Sequence, residues 1–142
     1  MVRHAKGILD TSAVLRLGEL SEGDLPDEAV ITTVTLAELT VGPLVTDDLA
    51  TRAARQAQLQ NAETNYGDPL PFDTAAAQAF GHVASGQRAG GRKPKARAFD
   101  ALIAATAMAA GLPVYTFNAA GFDGIDDLEV VALPPPEDAS RS

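Results

Sequence analysis

Short apolar runs alternate along this chain with longer segments in which apolar residues recur at helical spacing. Four of the runs, over 7–10, 29–32, 114–117 and 128–133, have the length and composition of buried strands. Residues 70–72 are a candidate for a further, very short strand. Because short apolar strands alternate with helices, the pattern predicts an α/β fold with a parallel sheet that is covered on both faces.

Helical patterns fill the segments between these runs. Thr11 or Ser12 is expected to cap the first helix, and Gly111, followed by Pro113, is expected to end the last one. The helices are predicted over 12–17, 35–41, 47–63, 73–88 and 96–110. The proline-rich tail over 134–142 is expected to be disordered, which leaves residues 1–133 as one domain.

The composition is that of a globular domain without a membrane segment. The chain has 142 residues, of which 46% are hydrophobic and 21% are charged. No apolar run approaches the roughly 20 residues that span a bilayer. No apolar leader precedes the first acidic residue, so a cytoplasmic location is the expectation. The chain has no cysteine, which excludes disulfides and thiolate metal sites.

The charge is acidic overall but unevenly distributed. The formal net charge is -8, which by itself argues against a nucleic-acid partner. However, five of the eleven Lys and Arg residues fall within one ten-residue stretch: Arg88, Arg92, Lys93, Lys95 and Arg97. This stretch is either a solvated, glycine-rich loop or a segment that binds a phosphate backbone.

Three acidic residues stand where predicted strands end or helices begin. Asp10 ends the first strand, Glu38 lies on the short helix after the second strand, and Asp100 lies near the start of the last helix. Ligands of such sheets bind beyond the carboxyl ends of the strands. Each acid also has a structural alternative. Asp10 can cap the next helix, Glu38 can fold back onto the Thr35 amide in a capping box, and Asp100 can interact with the helix dipole.

Three carboxylates gathered from three separate segments indicate a site for a hard cation. Mg²⁺ and Mn²⁺ prefer oxygen ligands and retain water, so few protein ligands suffice. Without a cation the clustered acids repel one another, and at least one pKa should rise. A bound divalent ion can activate water and stabilise the charge that develops on a phosphate.

The strings GILDTSAVL, TTVTLAEL, FDALIAATAMAAGLPVYTFN and LEVV, in this order and spacing, resemble a PIN domain. More closely, they resemble the VapC-type toxin nuclease of a VapBC toxin–antitoxin pair. The resemblance covers the chain from Gly7 to about Leu133. It implies a three-layer α/β/α fold with a short, mainly parallel, five-stranded sheet. It also implies Mg²⁺- or Mn²⁺-dependent RNA cleavage by metal-activated water.

The resemblance also assigns roles to individual residues. Asp10 and Asp100 would be the principal metal ligands, and Glu38 would be a third acid. The hydroxyls of Thr11 or Ser12 and of Thr116 would support the site, and Asn118 would order the following loop. These expectations concern Asp10, Thr11, Ser12, Glu38, Asp100, Thr116 and Asn118.

The chain departs from the family pattern at one position. The family often has T-x-N-x-x-D-F, and Gly121 stands in the place of that aspartate. Asp123 lies two residues later and is either a replacement metal ligand or a turn residue. The site would therefore hold either three or four acids.

The resemblance implies three partners: an RNA substrate, a cognate VapB-type antitoxin whose tail lies in the cleft, and a second copy of the chain in a homodimer. Single-stranded loops are the expected class of RNA because their bases are accessible. The basic residues Arg92, Lys93, Lys95 and Arg97 would bind this RNA.

Three alternatives remain at this stage. The first is a catalytically weak or inactive PIN-like domain that binds RNA or protein, and Gly121 motivates it. The second is a receiver-like phosphotransfer domain, which requires a Lys on a later strand, whereas no Lys follows Lys95. The third is a nuclease for DNA flaps or duplexes, which would need an additional helical arch.

Overall fold

The computed structural model describes residues 4–89 and 98–134. Its strands, within those ranges, are β1 (Lys6–Leu9), β2 (Glu28–Val30), β3 (Val114–Thr116) and β4 (Val130–Ala132). They form one parallel sheet in the order β2-β1-β3-β4. Parallel neighbours require crossover connections, and helices supply them here. The predicted α/β fold with a parallel sheet is therefore confirmed.

The α-helices of the described part are α1 (Thr11–Leu15), α2 (Thr33–Val41), α3 (Leu49–Asn65), α4 (Thr74–Ala89) and α5 (Ala98–Ala110). Each overlaps a predicted helix, with ends that differ by a few residues. Gly111 ends α5 with φ at +69°, the left-handed conformation expected after a helix. The Leu112 N–H donates to the Ala107 carbonyl at 3.0 Å, and the Gly111 N–H donates to the Met108 carbonyl at 3.2 Å. These two bonds form a Schellman motif.

Two apolar cores lie on opposite faces of the sheet, because successive strand residues point to opposite sides. Ile8 of β1 packs in one core with Val83 of α4 and Ile103 of α5. Leu9, the next residue, packs in the other core with Ala13 of α1 and Ala62 of α3. The result is the three-layer α/β/α arrangement that the resemblance implies.

The expected fifth strand is reduced to a single parallel bridge between Thr32 and Leu70. The Leu70 N–H donates to the Ile31 carbonyl at 2.9 Å, and the Leu70 carbonyl accepts from the Thr33 N–H at 2.9 Å. The pairing ends there because the partner segment leaves the extended conformation after Thr32 and enters α2 at Thr33. The sheet therefore has four strands in the described part of the chain.

No helix within residues 4–89 and 98–134 combines the length and the apolar character that crossing a bilayer requires. The prediction of a disordered tail concerns 134–142, of which 135–142 lie outside the described residues.

Candidate active site

Asp10 stands at the carboxyl end of β1 and is buried, with 3% of its surface exposed. Its Oδ1 accepts the Ala13 N–H at 2.9 Å, so Asp10 caps α1. The expectation that Thr11 or Ser12 would be the cap was wrong, because the chain leaves its extended conformation one residue earlier. Carboxylates are rarely fully buried in proteins, and a helix cap does not need to be buried. The burial of Asp10 is therefore not explained by its capping role alone.

Two hydroxyls from different segments converge on the Asp10 carboxylate. Ser12 Oγ donates to Oδ1 at 2.7 Å, and Thr116 Oγ1, at the end of β3, donates to Oδ2 at 2.5 Å. The Phe117 N–H donates to Ser12 Oγ at 3.1 Å, and the Asn118 N–H donates to Thr116 Oγ1 at 2.9 Å. These bonds fix the ends of two neighbouring strands around one carboxylate.

Glu38 lies on α2 and faces the same edge of the sheet. Its Oε1 accepts from Thr11 Oγ1 at 2.6 Å, and Thr11 Oγ1 also lies 3.1 Å from Thr35 Oγ1. The capping box considered for Glu38 is absent, because the Thr35 N–H donates to Thr32 Oγ1 at 3.2 Å instead. Glu38 is therefore available for a role at the site rather than bound to its own helix.

The two acids interact electrostatically. Burial raises the pKa of Glu38, the Thr11 hydrogen bond lowers it, and the negative charge of Asp10 raises it further. The net direction is upward. Repulsion by Asp10 is the effect expected of clustered acids without a cation, and burial is the larger cause of the raised pKa.

The raised pKa of Glu38 leads to a prediction for the metal-free protein. The folded state holds this proton more tightly than the unfolded chain does. Ionisation of Glu38 therefore destabilises the fold as pH rises above about 4.3, the ordinary pKa of Glu. In EDTA, Glu38→Gln should have a higher Tm than the wild type near neutral pH, because the Gln amide oxygen still accepts from Thr11. The difference in Tm should shrink as pH falls back towards that ordinary value.

A matched control is Glu63→Gln, at an exposed position of α3. It should not reproduce the pH-dependent gain. Thermal melting of the three proteins across this pH range is the measurement. A Tm difference between Glu38→Gln and the wild type that stays constant with pH would contradict the interpretation.

Asp100 lies in the first turn of α5 and is partly exposed. Its neighbour Phe99 lines a cavity of about 390 Å³ together with Thr11 and Glu38. The start of α5 therefore comes to the same edge of the sheet as the other two acids. Phe99 is 52% exposed, which is high for a phenylalanine beside a polar site, and sequence reasoning did not single it out.

The ligands offered at this edge are all oxygens, from carboxylates and hydroxyls, which is the chemistry that Mg²⁺ and Mn²⁺ prefer. Asp10 Oδ1 accepts two hydrogen bonds and Oδ2 accepts one, so of about four acceptor sites on the carboxylate one remains, on Oδ2. Within residues 4–89 and 98–134, no three carboxylate or imidazole groups are spaced closely enough to hold a metal ion directly. The residues fit a Mg²⁺ ion that is held by one or two carboxylates and several waters, as such ions usually are in proteins.

The segment after β3 contains the position where the chain departs from the family pattern. Gly121 is buried in a 3₁₀ turn (Ala119–Phe122), and its carbonyl accepts from Gln87 Nε2 at 3.2 Å. Gln87 is itself 1% exposed, so the surroundings of Gly121 are packed with protein atoms and closed to solvent. Asp123 is an exposed residue directly after the turn, and its role as a fourth ligand stays a prediction.

The proposed RNA-binding residues Arg92, Lys93, Lys95 and Arg97 lie outside the described residues. Arg88, the first basic residue of that stretch, lies in the last turn of α4. Sequence reasoning missed that the buried Thr35 contacts Thr11, the residue that donates to Glu38. The available signal was the helical spacing of Thr35 and Glu38, which places both side chains on one face of α2.

Comparison with protein families matches residues 8–128 to the PIN domain family. Ribonuclease VapC5 of Mycobacterium tuberculosis is 35% identical over 134 residues, which are 91% of this chain and 96% of that protein. Ribonuclease VapC8 of the same organism is 35% identical over 102 residues, 71% of this chain and 89% of its own length.

Solved structures agree with the sequence comparison. The crystal structure of VapBC-5 from Mycobacterium tuberculosis, a member of the VapBC family of toxin–antitoxin systems, matches with a TM-score of 0.76 and 35% identity. The match covers 91% of this chain and 99% of that one. VapBC2 from Rickettsia felis, bound to a promoter DNA fragment, matches with a TM-score of 0.70 at 18% identity, covering 91% and 99% of the two chains. At that identity the likeness concerns the fold alone.

Proposed function

This chain belongs to the PIN domain family, and from that premise we propose that it is a VapC-type endoribonuclease toxin that depends on Mg²⁺ or Mn²⁺. The main support is the buried Asp10 at the carboxyl end of β1, with Glu38 bound to the hydroxyl of the adjacent Thr11. A structural cap needs no second acid beside it. Two relatives that share 35% identity with this chain are named ribonucleases, which supports RNA as the substrate.

The proposed chemistry assigns distinct tasks to the residues of the site. Asp10, Glu38 and Asp100 would hold the metal, directly or through water. A divalent ion held there would supply activation of the attacking water and stabilisation of the charge that develops on the phosphate. Ser12 and Thr116 hold the Asp10 carboxylate in one orientation through their two hydroxyl hydrogen bonds.

Substrate binding is assigned to a different part of the chain. The basic residues before α5 would bind the RNA backbone, most favourably in a single-stranded loop. This second task belongs to Arg92, Lys93, Lys95 and Arg97.

The cavity beside Glu38 supports an antitoxin partner. Its wall is mainly apolar and includes Leu15, Val41 and Val45, which are 43%, 49% and 68% exposed. Exposed apolar side chains around an acidic site are costly to leave in water, and a partner segment would cover them. We infer that the tail of a VapB-type antitoxin occupies this cavity and that an inserted Arg pairs with the acids. A homodimer is proposed as well, and a monomer mass in sedimentation of the purified chain would exclude it.

The proposed activity is tested by incubating the purified chain with total RNA, with and without Mg²⁺ or Mn²⁺, and mapping the cut sites. We expect cleavage with either ion, loss of cleavage in EDTA and recovery when the ion is restored. Addition of the cognate antitoxin should suppress cleavage, and labelled single-stranded DNA should compete poorly with RNA. Cleavage that persists unchanged in EDTA would refute the metal dependence, and an antitoxin without effect would refute the partner.

One specific observation supports a second candidate function. Gly121 replaces the fourth acid of the family pattern and is buried against Gln87, so this position offers no carboxylate to a metal. A catalytically weak or inactive domain that binds RNA or protein would fit such a loss. Metal binding in calorimetry together with no RNA cleavage at saturating Mn²⁺ would favour this alternative.

A further inference from the structure

The guanidinium of Arg16 lies 3.9 Å above the centre of the Phe117 ring, at the edge of the sheet that holds the acids. Phe117 directly follows β3, and its N–H donates to Ser12 Oγ, which in turn donates to Asp10. The stacked pair is therefore separated from the buried carboxylate by a single hydrogen-bonding residue. A guanidinium stacked on an aromatic face keeps its N–H edge directed outward, which suits contact with an anion.

Glu19 fixes the orientation of this guanidinium. Arg16 Nε donates to Glu19 Oε2 at 2.8 Å, and Nη2 donates to Oε1 at 3.3 Å. These contacts use two of the five guanidinium N–H groups, which leaves three for a ligand. The Arg16 side chain is 38% exposed, so those donors are accessible from solvent. Glu19 and Phe117 together hold the guanidinium in one orientation.

Three other cations of the described part are placed differently. Lys6 begins β1 and therefore lies at the opposite edge of the sheet. Arg52 and Arg55 lie on α3, where Arg52 Nη2 donates to the Thr46 carbonyl at 2.7 Å and Arg55 Nη1 donates to the Gly42 carbonyl at 2.9 Å. These contacts tie α3 to the preceding turn. Arg55 also lines the cavity beside Glu38, whereas Arg16 stacks on Phe117 at the carboxyl end of β3.

We propose that Arg16 binds a backbone phosphate of the RNA strand next to the acidic site, with Phe117 and Glu19 holding its guanidinium in place. This inference rests on the proposed ribonuclease function, since the ligand is the substrate of that site. An acidic chain must bring a polyanion close to its own carboxylates. A fixed cation at the margin of the site offsets that repulsion locally.

The test measures RNA binding in EDTA, so that no cleavage is needed for a signal. Fluorescence anisotropy follows a labelled single-stranded RNA as salt is raised from about 50 to 200 mM. Arg16→Gln should weaken binding about fivefold, and the slope of log affinity against log salt should fall by about 0.7, the value for one phosphate contact on a single strand. Glu19→Gln should tighten binding, because it removes a negative charge while the Gln amide oxygen still accepts from Arg16 Nε and keeps the guanidinium oriented.

Arg52→Gln is the matched control and should leave both affinity and slope as in the wild type. A merely structural Arg16–Glu19 pair predicts a lower Tm for both variants, with no opposite effects on RNA binding. Equal affinities for Arg16→Gln and wild type overturn the inference, including the case in which neither binds RNA. The cleavage assay judges the nuclease function separately. If the wild type cleaves RNA and Arg16→Gln binds RNA as tightly as the wild type, only the inference about Arg16 is rejected. If Arg16→Gln binds RNA more weakly but the wild type does not cleave it, only the nuclease function is rejected.

Discussion

The Asp10→Asn variant is expected to lose divalent-dependent RNA cleavage by roughly two to three orders of magnitude, as when one group that stabilises transition-state charge is removed. The substitution takes the negative charge from a buried acid at the centre of the site. It also relieves the repulsion on Glu38, so the pKa of Glu38 should fall towards its ordinary value. Initial cleavage rates at saturating Mg²⁺, together with Mn²⁺ calorimetry, are the measurements.

The fold should survive this substitution. Asn is as good a helix cap as Asp, and its side-chain oxygen can still accept the Ala13 N–H. The Thr116 hydroxyl, which donates to Asp10, can accept a hydrogen bond from the new amide instead. The Tm should therefore change by only a few degrees, about the effect of 1 kcal/mol on a domain of this size.

Asp48→Asn provides the matched control for Asp10→Asn. Asp48 caps α3 by accepting the Thr51 N–H at 2.8 Å and is exposed. The chemical change and the capping role are the same, but the control should cleave RNA at the wild-type rate. Full cleavage activity in Asp10→Asn, or an equal loss of cleavage activity in Asp10→Asn and Asp48→Asn, would refute the proposed site.

The Gly86→Ala variant is expected to lose about 2 kcal/mol or more of folding stability, because an added methyl would have no room. A Cβ at Gly86 would lie 2.4 Å from the Gly124 carbonyl oxygen, which is backbone and cannot rotate away. Gly124 itself has φ at +82°, a conformation that favours glycine. The two glycines let α4 approach the turn before β4 closely. The Tm should fall by roughly 6 °C or more.

Gly81→Ala, on the same helix, should have the opposite effect. Gly81 is exposed, and a Cβ there would meet no atom within 4 Å. Replacement of an unrestricted helical glycine by alanine should add about 0.5–1 kcal/mol of stability. Thermal or urea unfolding of both variants provides the comparison. A Gly86→Ala protein as stable as Gly81→Ala would show that the approach of α4 to Gly124 is not a tight contact.

Much of the fold was readable from the sequence. The apolar runs at 7–10 and 114–117 predict strands because a buried parallel strand requires continuous apolar residues, and such runs are local. Gly111 predicted the end of α5 for an equally local reason, its tolerance of positive φ. The short strand at 70–72 was not realised as a strand. The segment that Leu70 pairs with turns into α2 at Thr33, so little extended backbone is left for it to pair with.

The candidate site was predicted in part. Asp10, Glu38 and Asp100 could be named because they stand at strand ends and helix starts, and because the surrounding motifs resemble one family. The cap of α1 and the orientation of Glu38 were beyond sequence reasoning. Both depend on which of several competing donors reaches a carboxylate. The Arg16–Phe117 stack joins residues about a hundred positions apart, and no local pattern predicts it.

By itself the sequence determined the alternation of strands and helices, the residue types available for chemistry and the family to which the chain belongs. These follow from short-range spacing and from motifs that can be recognised without coordinates. Only the tertiary structure decided that Asp10 is buried between Ser12 and Thr116, and that Glu38 turns to Thr11 instead of its own helix. The physical reason is that burial and hydrogen-bond choice depend on groups brought together by folding from distant parts of the chain.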